Sequence, residues 1–234
     1  MLELRSAARL YILGLLALAV TGTFGALALS GRPDARMIGV AVVSLAALVV
    51  ASRYPLHVGS GLKLSLDTAV ILATALLIEP GMAMMVAGVG MLAGQGLRRD
   101  PLMQAIFNGS QAALQAGVVG GLLALGSWQA GSHAWDQPTA LALVAGACLV
   151  MYLVNNLAVA IIGGLQTAQS IWAQAREALT LCMVEDVALY GIGLLAAAVV
   201  QSDQWLVLPL LCSAVMLGWL SLGRIYPAPA RRLV

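Results

Sequence analysis

The chain has 234 residues, of which 61% are hydrophobic and only 9% are charged, and its formal net charge is +2. Soluble domains carry roughly 25% charged residues, so this composition excludes a water-covered surface and makes lipid the solvent for most of the chain. The few basic residues lie between apolar runs and form no basic face, which excludes a nucleic-acid partner. The sequence therefore predicts an all-α, polytopic transmembrane helix bundle in which residues 1–234 form a single integral-membrane domain.

Apolar runs along the chain predict about eight membrane segments, of which the third and fourth are short, because a spanning helix needs about 20 apolar residues. The predicted segments are residues 8–29, 37–54, 64–78, 82–97, 102–125, 139–165, 178–200 and 205–223. The apolar run of the first segment, residues 10–29, follows Arg5 and Arg9 but is long for the apolar part of a signal peptide, so we expect it to be retained. A polar link at residues 57–63 precedes the third segment, and an amphipathic stretch at residues 166–177 precedes the seventh.

The basic residues predict how these segments alternate across the membrane. With a cytoplasmic N-terminus, all but two of the twelve basic residues, Arg32 and Arg36, fall in cytoplasmic loops, as is typical of membrane proteins. Merging the third and fourth segments would invert every later loop and remove this bias. Glu79, Pro80 and Gly81 are therefore predicted to form an outside turn, and both termini are predicted to be cytoplasmic.

Glycines recur four residues apart in two neighbouring segments. Gly90 and Gly94 form one such pair in the fourth segment, and Gly117 and Gly121 form another in the fifth. Small residues at this spacing let two helix backbones approach closely, so the pairs predict tight helix packing. A ligand lying against bare backbone is the alternative interpretation.

Amide side chains line one face of the fifth segment. Asn108, Gln111 and Gln115 recur at spacings of three and four, which places them on the same side of a helix. Asn155 and Asn156 lie about midway along the sixth segment. Hydrogen bonds between helices are one interpretation of these amides, and a polar lining that recognises a small ligand is the other.

Three acids fall within or beside predicted membrane segments, where an ionised group is costly without a partner or a wet cavity. Asp67 is either a first-turn acid stabilised by the helix dipole or a site acid at the inner mouth of a cavity. Glu185 and Asp186 point about 100° apart on a helix, so both cannot face one pocket. One of them could pair with an arginine from a neighbouring helix end. A membrane helix that began only at Asp186 would be too short to span, so both acids are predicted to lie within or near the membrane.

These residues give a set of candidate ligand-binding positions. The candidates are Asp67, Asn108, Gln111, Gln115, Asn155, Asn156 and Glu185.

The sequence does not support a metal site, a disulfide framework or a catalytic site. The methionines between residues 82 and 91 lack a His or Cys neighbour, so they predict flexible apolar packing rather than copper binding. Cys148, Cys182 and Cys212 lie singly in apolar stretches, which argues against a disulfide framework and against structural zinc. No nucleophile, metalloprotease or phosphate-binding motif occurs. We therefore expect a non-catalytic protein without a metal or another cofactor.

The order of several short motifs resembles a known class of membrane domain. The motifs read LSLDTAVILATALLIEPGMAMMVAGVGMLAG, FNGSQAAL, YLVNNLAVAIIGGL and IWAQAREAL. In this order, over about residues 41–223, they resemble the multi-helix sensory domains that precede GGDEF or HD-type cyclic-dinucleotide signalling domains in bacteria. The resemblance implies a location in the bacterial inner membrane. The positions that carry it are Asp67, Pro80, Asn108, Gln111, Asn155 and Asn156.

Members of that class usually continue into a cytoplasmic catalytic domain, whereas this sequence stops at Val234. The resemblance therefore implies either a truncated sensor or a subunit that works with a separate partner. Residues 64–96 are also similar to the substrate-binding membrane subunits of energy-coupling-factor vitamin importers, which share a short helix pair with Gly-Pro at the turn. The first segment lacks the alanine-rich docking motif of those subunits, since Ala17, Leu18 and Ala19 match it poorly.

Together these observations predict a sensory or ligand-recognition bundle that binds a small molecule or a lipid and acts with a protein partner. The partner would be a cytoplasmic signalling domain or other membrane subunits. The alternatives are a subunit that transports a small, vitamin-like molecule and an accessory structural subunit of a larger membrane complex.

Overall fold

The computed structural model describes residues 5–54, 56–58, 62–64, 66–128, 137–181 and 183–202. Within these ranges the chain forms eight helices and one short antiparallel hairpin. The helices are α1 (Ser6–Leu29), α2 (Ala35–Arg53), α3 (Asp67–Leu77), α4 (Pro80–Arg98), α5 (Leu102–Leu125), α6 (Pro138–Thr167), α7 (Ile171–Leu181) and α8 (Met183–Gln201). The hairpin strands, β1 (Leu56–Val58) and β2 (Leu62–Leu64), lie between α2 and α3.

The helical fold class is confirmed, and four of the described helices are long and apolar enough to cross a membrane. These are α1, α2, α4 and α6. Their length and composition are compatible with a membrane location. Local signals set several of their starts: the Asp34 carboxylate accepts a hydrogen bond from the backbone N–H of Met37 at 2.6 Å, and Pro80 and Pro138 occupy first helical positions.

The break between the third and fourth predicted segments is confirmed, because α3 ends at Leu77 and α4 begins at Pro80. The third segment itself begins later than predicted. The hairpin occupies the predicted polar link and runs to Leu64, so α3 starts only at Asp67. Asp67 is therefore in the first turn of its helix.

The prediction of one continuous helix over residues 178–200 is wrong, because α7 ends at Leu181 and α8 begins at Met183. The Tyr152 hydroxyl of α6 donates a hydrogen bond to the backbone carbonyl of Leu179 in the last turn of α7. The last carbonyls of a helix have no partner inside that helix, so a side chain that binds one of them favours an end there. The eighth predicted segment, residues 205–223, lies outside the described residues.

Helix α5 lies at the centre of the bundle and packs against α1, α3, α4 and α6. Half of its residues are buried, whereas the apolar side chains of α1 are mostly exposed, as expected for a surface that faces lipid. Helix α4 packs closely on α2 through two glycines. A Cβ at Gly90 would lie 2.8 Å from the Cβ of Leu48, and Gly94 lies against Ser52. The predicted tight packing of this glycine pair is therefore confirmed.

The loops gather at two opposite ends of the bundle. At one end, Gly31 lies beside the Glu79 carboxylate, and the Arg36 guanidinium donates to the backbone carbonyl of Val200 at 3.2 Å. We call this the Glu79 end. At the other, the Arg98 end, the guanidinium of Arg98 donates to the backbone carbonyl of Ser52 at 3.1 Å. Helices α3 and α8 both run towards the Glu79 end, so their first turns lie nearer the Arg98 end.

Candidate functional site

The amides of α5 bind amides of the neighbouring helices. Asn108 Nδ2 donates to Gln95 Oε1 of α4 at 3.0 Å. Asn155 Oδ1 of α6 accepts from Gln111 Nε2 at 2.8 Å and from Gln115 Nε2 at 3.1 Å. The Asn155 backbone carbonyl also accepts from Gln111, at 3.0 Å. These contacts are interhelical amide hydrogen bonds, the first of the two interpretations drawn from the sequence.

The side chains of this amide network form hydrogen bonds with one another. A carbonyl oxygen has two lone pairs, and both glutamines of α5 donate to the single side-chain oxygen of Asn155. Gln95, Gln111 and Gln115 are buried, and Gln95 Nε2 lies 3.3 Å from the sulfur of Met91. The network therefore joins α4, α5 and α6 from inside the bundle.

Asn156 and Asp67 belong to a second polar group, which lies among α3, α6 and α8. Asn156 Nδ2 donates to Asp186 Oδ2 at 3.3 Å and to the Tyr152 backbone carbonyl at 2.9 Å. Asp67 lies near enough to Asp186 for the two carboxylates to interact electrostatically, and its own Oδ1 accepts from the backbone N–H of Thr68 at 2.8 Å. We call Asp67, Asn156, Asp186 and Tyr190 the Asp186 cluster.

The structure thus divides the predicted site residues between two groups. Asn108, Gln111, Gln115 and Asn155 form the amide network, while Asn156 donates a hydrogen bond to Asp186, and Asp67 lies near enough to Asp186 for their charges to interact. The side chain of Glu185 lies outside the described part of the structure.

Sequence reasoning missed Gln95 and Tyr190, and it considered Asp186 without counting it among the candidate ligand-binding positions. Gln95 is the α4 partner of Asn108, and Asp186 and Tyr190 are buried in α8. A signal for the last two was present, because residues four apart share a helix face. Asp186 and Tyr190 stand four apart on α8, and Tyr152 and Asn156 stand four apart on α6.

A cavity of about 790 Å³ opens at the Glu79 end between α1, α3, α4 and α5. Its walls are apolar and rich in glycine and alanine. Polar atoms lie near its mouth, where Ser30 Oγ donates to the Ala26 carbonyl at 2.9 Å and Trp128 Nε1 donates to the Leu76 carbonyl at 3.3 Å. The Glu79 carboxylate also lines this mouth, and among the described residues it accepts no hydrogen bond and forms no ion pair.

Glycines decide where this cavity is open and where it is closed. A Cβ at Gly81 would lie 2.5 Å from the backbone N of Leu27, so the first turn of α4 sits directly on the last turn of α1. Gly117 lies against Met84, at 2.7 Å from the position of a Cβ to the sulfur. A Cβ at Gly121 would meet nothing within 4 Å. In the glycine pair of α5, therefore, Gly117 packs closely against Met84, whereas Gly121 borders open space.

Comparison of the chain with protein-family models, curated proteins and solved structures gives no match. The resemblance to bacterial sensory domains and to vitamin-importer subunits therefore stays a prediction. In the described part of the chain, no group of three or more His, Cys, Asp or Glu side chains is placed to hold a metal ion.

Proposed function

We propose that the chain is a non-catalytic, multi-pass protein of the bacterial inner membrane that recognises a small amphipathic molecule and acts with a protein partner. The observation that carries this proposal is the cavity at the Glu79 end. Small-molecule pockets commonly enclose about 300–1,000 Å³ and combine apolar walls with a few polar groups. The cavity, at about 790 Å³, has these properties.

The lining predicts the chemistry of the ligand. The apolar walls, formed by residues such as Met84, Leu114 and Val118, favour a hydrocarbon body. The polar hydrogens of Ser30 and Trp128 already have acceptors in the protein, whereas the oxygens of Glu79 accept none from the described residues. A carboxylate without a donor attracts a positively charged or hydrogen-bond-donating group. We therefore expect a molecule with an apolar body and a cationic or donor head.

The arrangement of the loops supports the proposed topology, in which eight segments cross the membrane and both termini are cytoplasmic. Arg36 lies at the Glu79 end, and Arg53 and Arg98 lie at the opposite end. Under the positive-inside rule the Glu79 end then faces the outside. The cavity would receive its ligand from the outer side of the membrane.

A sensor also needs two packings that bind the ligand differently, because a ligand shifts an equilibrium only through its differential affinity. The cavity lies between α1 and α4, which touch at Gly81, and α5, which touches α4 at Gly120. A ligand bound in the cavity would therefore change how α1 and α4 pack against the central helix α5. A partner that contacts these helices would receive the change.

Filling the cavity tests the proposal. Gly121→Leu places a side chain in open space, so we expect the protein to fold while losing the molecule that co-purifies with it. Native mass spectrometry of the purified protein, with small molecules identified after release, measures this loss. Gly25→Leu is the matched control, because Gly25 is an exposed helical glycine with nothing within 4 Å of its Cβ position and does not line the cavity. Equal retention of small molecules by both variants would overturn the proposal.

Transport of a small molecule is the second candidate function. The observation that favours it is the position of the cavity and of the buried Asp186 carboxylate towards opposite ends of one bundle. A transporter needs a substrate site and often a separate ionisable group within the membrane. Uptake of the co-purified molecule into vesicles that contain only this protein would favour transport over recognition.

A further inference from the structure

The Asp186 cluster contains a buried carboxylate that ligand recognition at the Glu79 end does not use. Asp186 is only 5% exposed, and its carboxylate accepts a single hydrogen bond from the described residues, from Asn156 at 3.3 Å. In the described part of the chain no arginine, lysine or histidine pairs with it. The arginine partner that the sequence suggested is therefore absent for this acid among those residues.

Tyr190 adds an independent sign of an incomplete site. It lies one helical turn beyond Asp186, on the same face of α8, and is 6% exposed. Its hydroxyl has no hydrogen-bond partner among the described residues, although it lies close enough to Asp186 for the two groups to interact electrostatically. Buried polar groups in folded proteins are almost always hydrogen-bonded, so the Tyr190 hydroxyl and the Asp186 carboxylate, which accepts one hydrogen bond from the described residues, offer oxygen atoms to a ligand.

Charge identifies the kind of occupant. An ionised carboxylate inside a low-dielectric bundle is costly unless an opposite charge compensates it, and one neutral amide does not. Asp67 of α3 adds a second negative charge near Asp186, and the titratable groups near the Tyr190 hydroxyl, besides Asp186, are Cys148 and Tyr152 of α6. None of these groups is a cation at neutral pH.

We infer that Asp186, Asn156 and Tyr190 form a binding site for a small monovalent cation, a proton or a sodium ion, within the bundle. A proton taken from water would bind a carboxylate oxygen and leave a neutral acid, with no other bond broken. A sodium ion would be held by oxygen atoms of the Asp186 carboxylate, the Asn156 side chain and the Tyr190 hydroxyl. Asp67, which is only partly buried, would attract the cation from the Arg98 end.

Thermal unfolding of the purified full chain in nanodiscs tests this site. In sodium-free buffer we expect the midpoint to fall as the pH rises from about 5 to about 9, because an ionised Asp186 then lies inside the bundle without a cation to compensate its charge. If the occupant is sodium, adding NaCl at high pH restores the midpoint, whereas KCl at equal ionic strength does not. If the occupant is the proton alone, neither salt restores it.

Asp186→Asn removes the charge while keeping the shape of the side chain. The unfolding midpoint of this variant should therefore no longer depend on pH or on sodium. Asp34→Asn is the control, since Asp34 is an exposed cap of α2 at the Glu79 end, and its midpoint should keep both dependences. An Asp186→Asn protein whose midpoint still varies with pH and sodium as the unmodified protein does would overturn the inference.

A second measurement does not depend on the stability of the variant. Infrared difference spectra recorded between about pH 5 and about pH 9 should show a protonated carboxylic acid band for the unmodified chain that the spectrum of Asp186→Asn lacks. Sodium should suppress this band only if it competes for the same site. Tyr190→Phe removes one oxygen ligand and should weaken a sodium response several-fold while leaving the protein folded. A spectrum without a titrating carboxyl, together with a midpoint unaffected by sodium, would overturn the site.

Discussion

The two ends of the bundle differ in what fills their interior: small residues surround a cavity at the Glu79 end, and polar side chains fill the interior towards the Arg98 end. At the Glu79 end, glycines and alanines leave a cavity with one unengaged carboxylate at its mouth. Towards the Arg98 end, the Asp186 cluster and the amide network fill the interior with polar side chains, most of which bind one another. The comparison teaches that polar side chains inside an apolar bundle are used first to join helices. Space for a ligand arises where side chains are small.

The largest effect should come from exchanging the two kinds of glycine. Gly81→Leu would drive a side chain into the backbone of α1, which cannot move aside, so we expect a loss of about 3 kcal/mol or more in the free energy of unfolding. Gly121→Leu should change this free energy by far less, because its side chain enters open space. Titration of both purified variants with SDS measures the difference. Equal losses would show that the cavity is not open as described.

A smaller effect should separate the amide network from the cavity. Asn155→Leu removes the side-chain oxygen that accepts from Gln111 and Gln115, which leaves the buried Gln115 without its described acceptor while Gln111 keeps its bond to the backbone carbonyl of residue 155. We expect a loss of about 1–3 kcal/mol in the free energy of unfolding, since a buried unsatisfied donor retains its desolvation cost. Retention of the co-purified molecule should not change. A variant that kept its stability but lost that molecule would instead assign ligand binding to the amides.

The partner residues provide a control for that experiment. Gln115→Leu together with Asn155→Leu removes a donor as well as its acceptor, so the double variant should recover part of the lost stability. Strict additivity of the two changes would contradict the hydrogen bond between them.

The smallest effect concerns the head of the ligand. Glu79→Gln removes the negative charge at the cavity mouth, and we expect a fluorescent alkylamine to bind about tenfold more weakly, which is about 1.4 kcal/mol. The uncharged alcohol of the same chain length should bind as before. Glu177→Gln is the matched control, because Glu177 is exposed on α7 and does not line the cavity. Equal weakening of amine and alcohol would indicate that the carboxylate acts on shape rather than charge.

Much of the helical framework could be predicted from the sequence, because helix-breaking residues and apolar runs determine where a helix begins and ends from nearby residues alone. The bounds of α5 agree with the predicted segment at both ends. The predicted break before α4 is also present, although α4 begins at Pro80 and so includes two residues of the predicted turn. The break between α7 and α8 could not be predicted in this way, since Tyr152, which binds the end of α7, is remote in sequence.

The candidate site was predictable only in part. The 3.6-residue period places Asn108, Gln111 and Gln115 on one face, but it does not say which helix meets that face. Between two adjacent acids the sequence favoured Glu185, whereas Asp186 is the one that Asn156 meets. The cavity left no signal, because it depends on side chains that are absent, such as a Cβ at Gly121, and on where Met84 comes to lie.

Helix α7 is fastened to α6 at both of its own ends. At its start, Ile171 occupies the notch left by Gly164, where a Cβ would come within 2.7 Å of the Ile171 side chain. At its last turn, the Tyr152 hydroxyl binds the Leu179 carbonyl. An amphipathic helix attached only to lipid would drift with the bilayer surface. Because α7 contacts α6 at both ends, we expect the two helices to move together when α6 tilts.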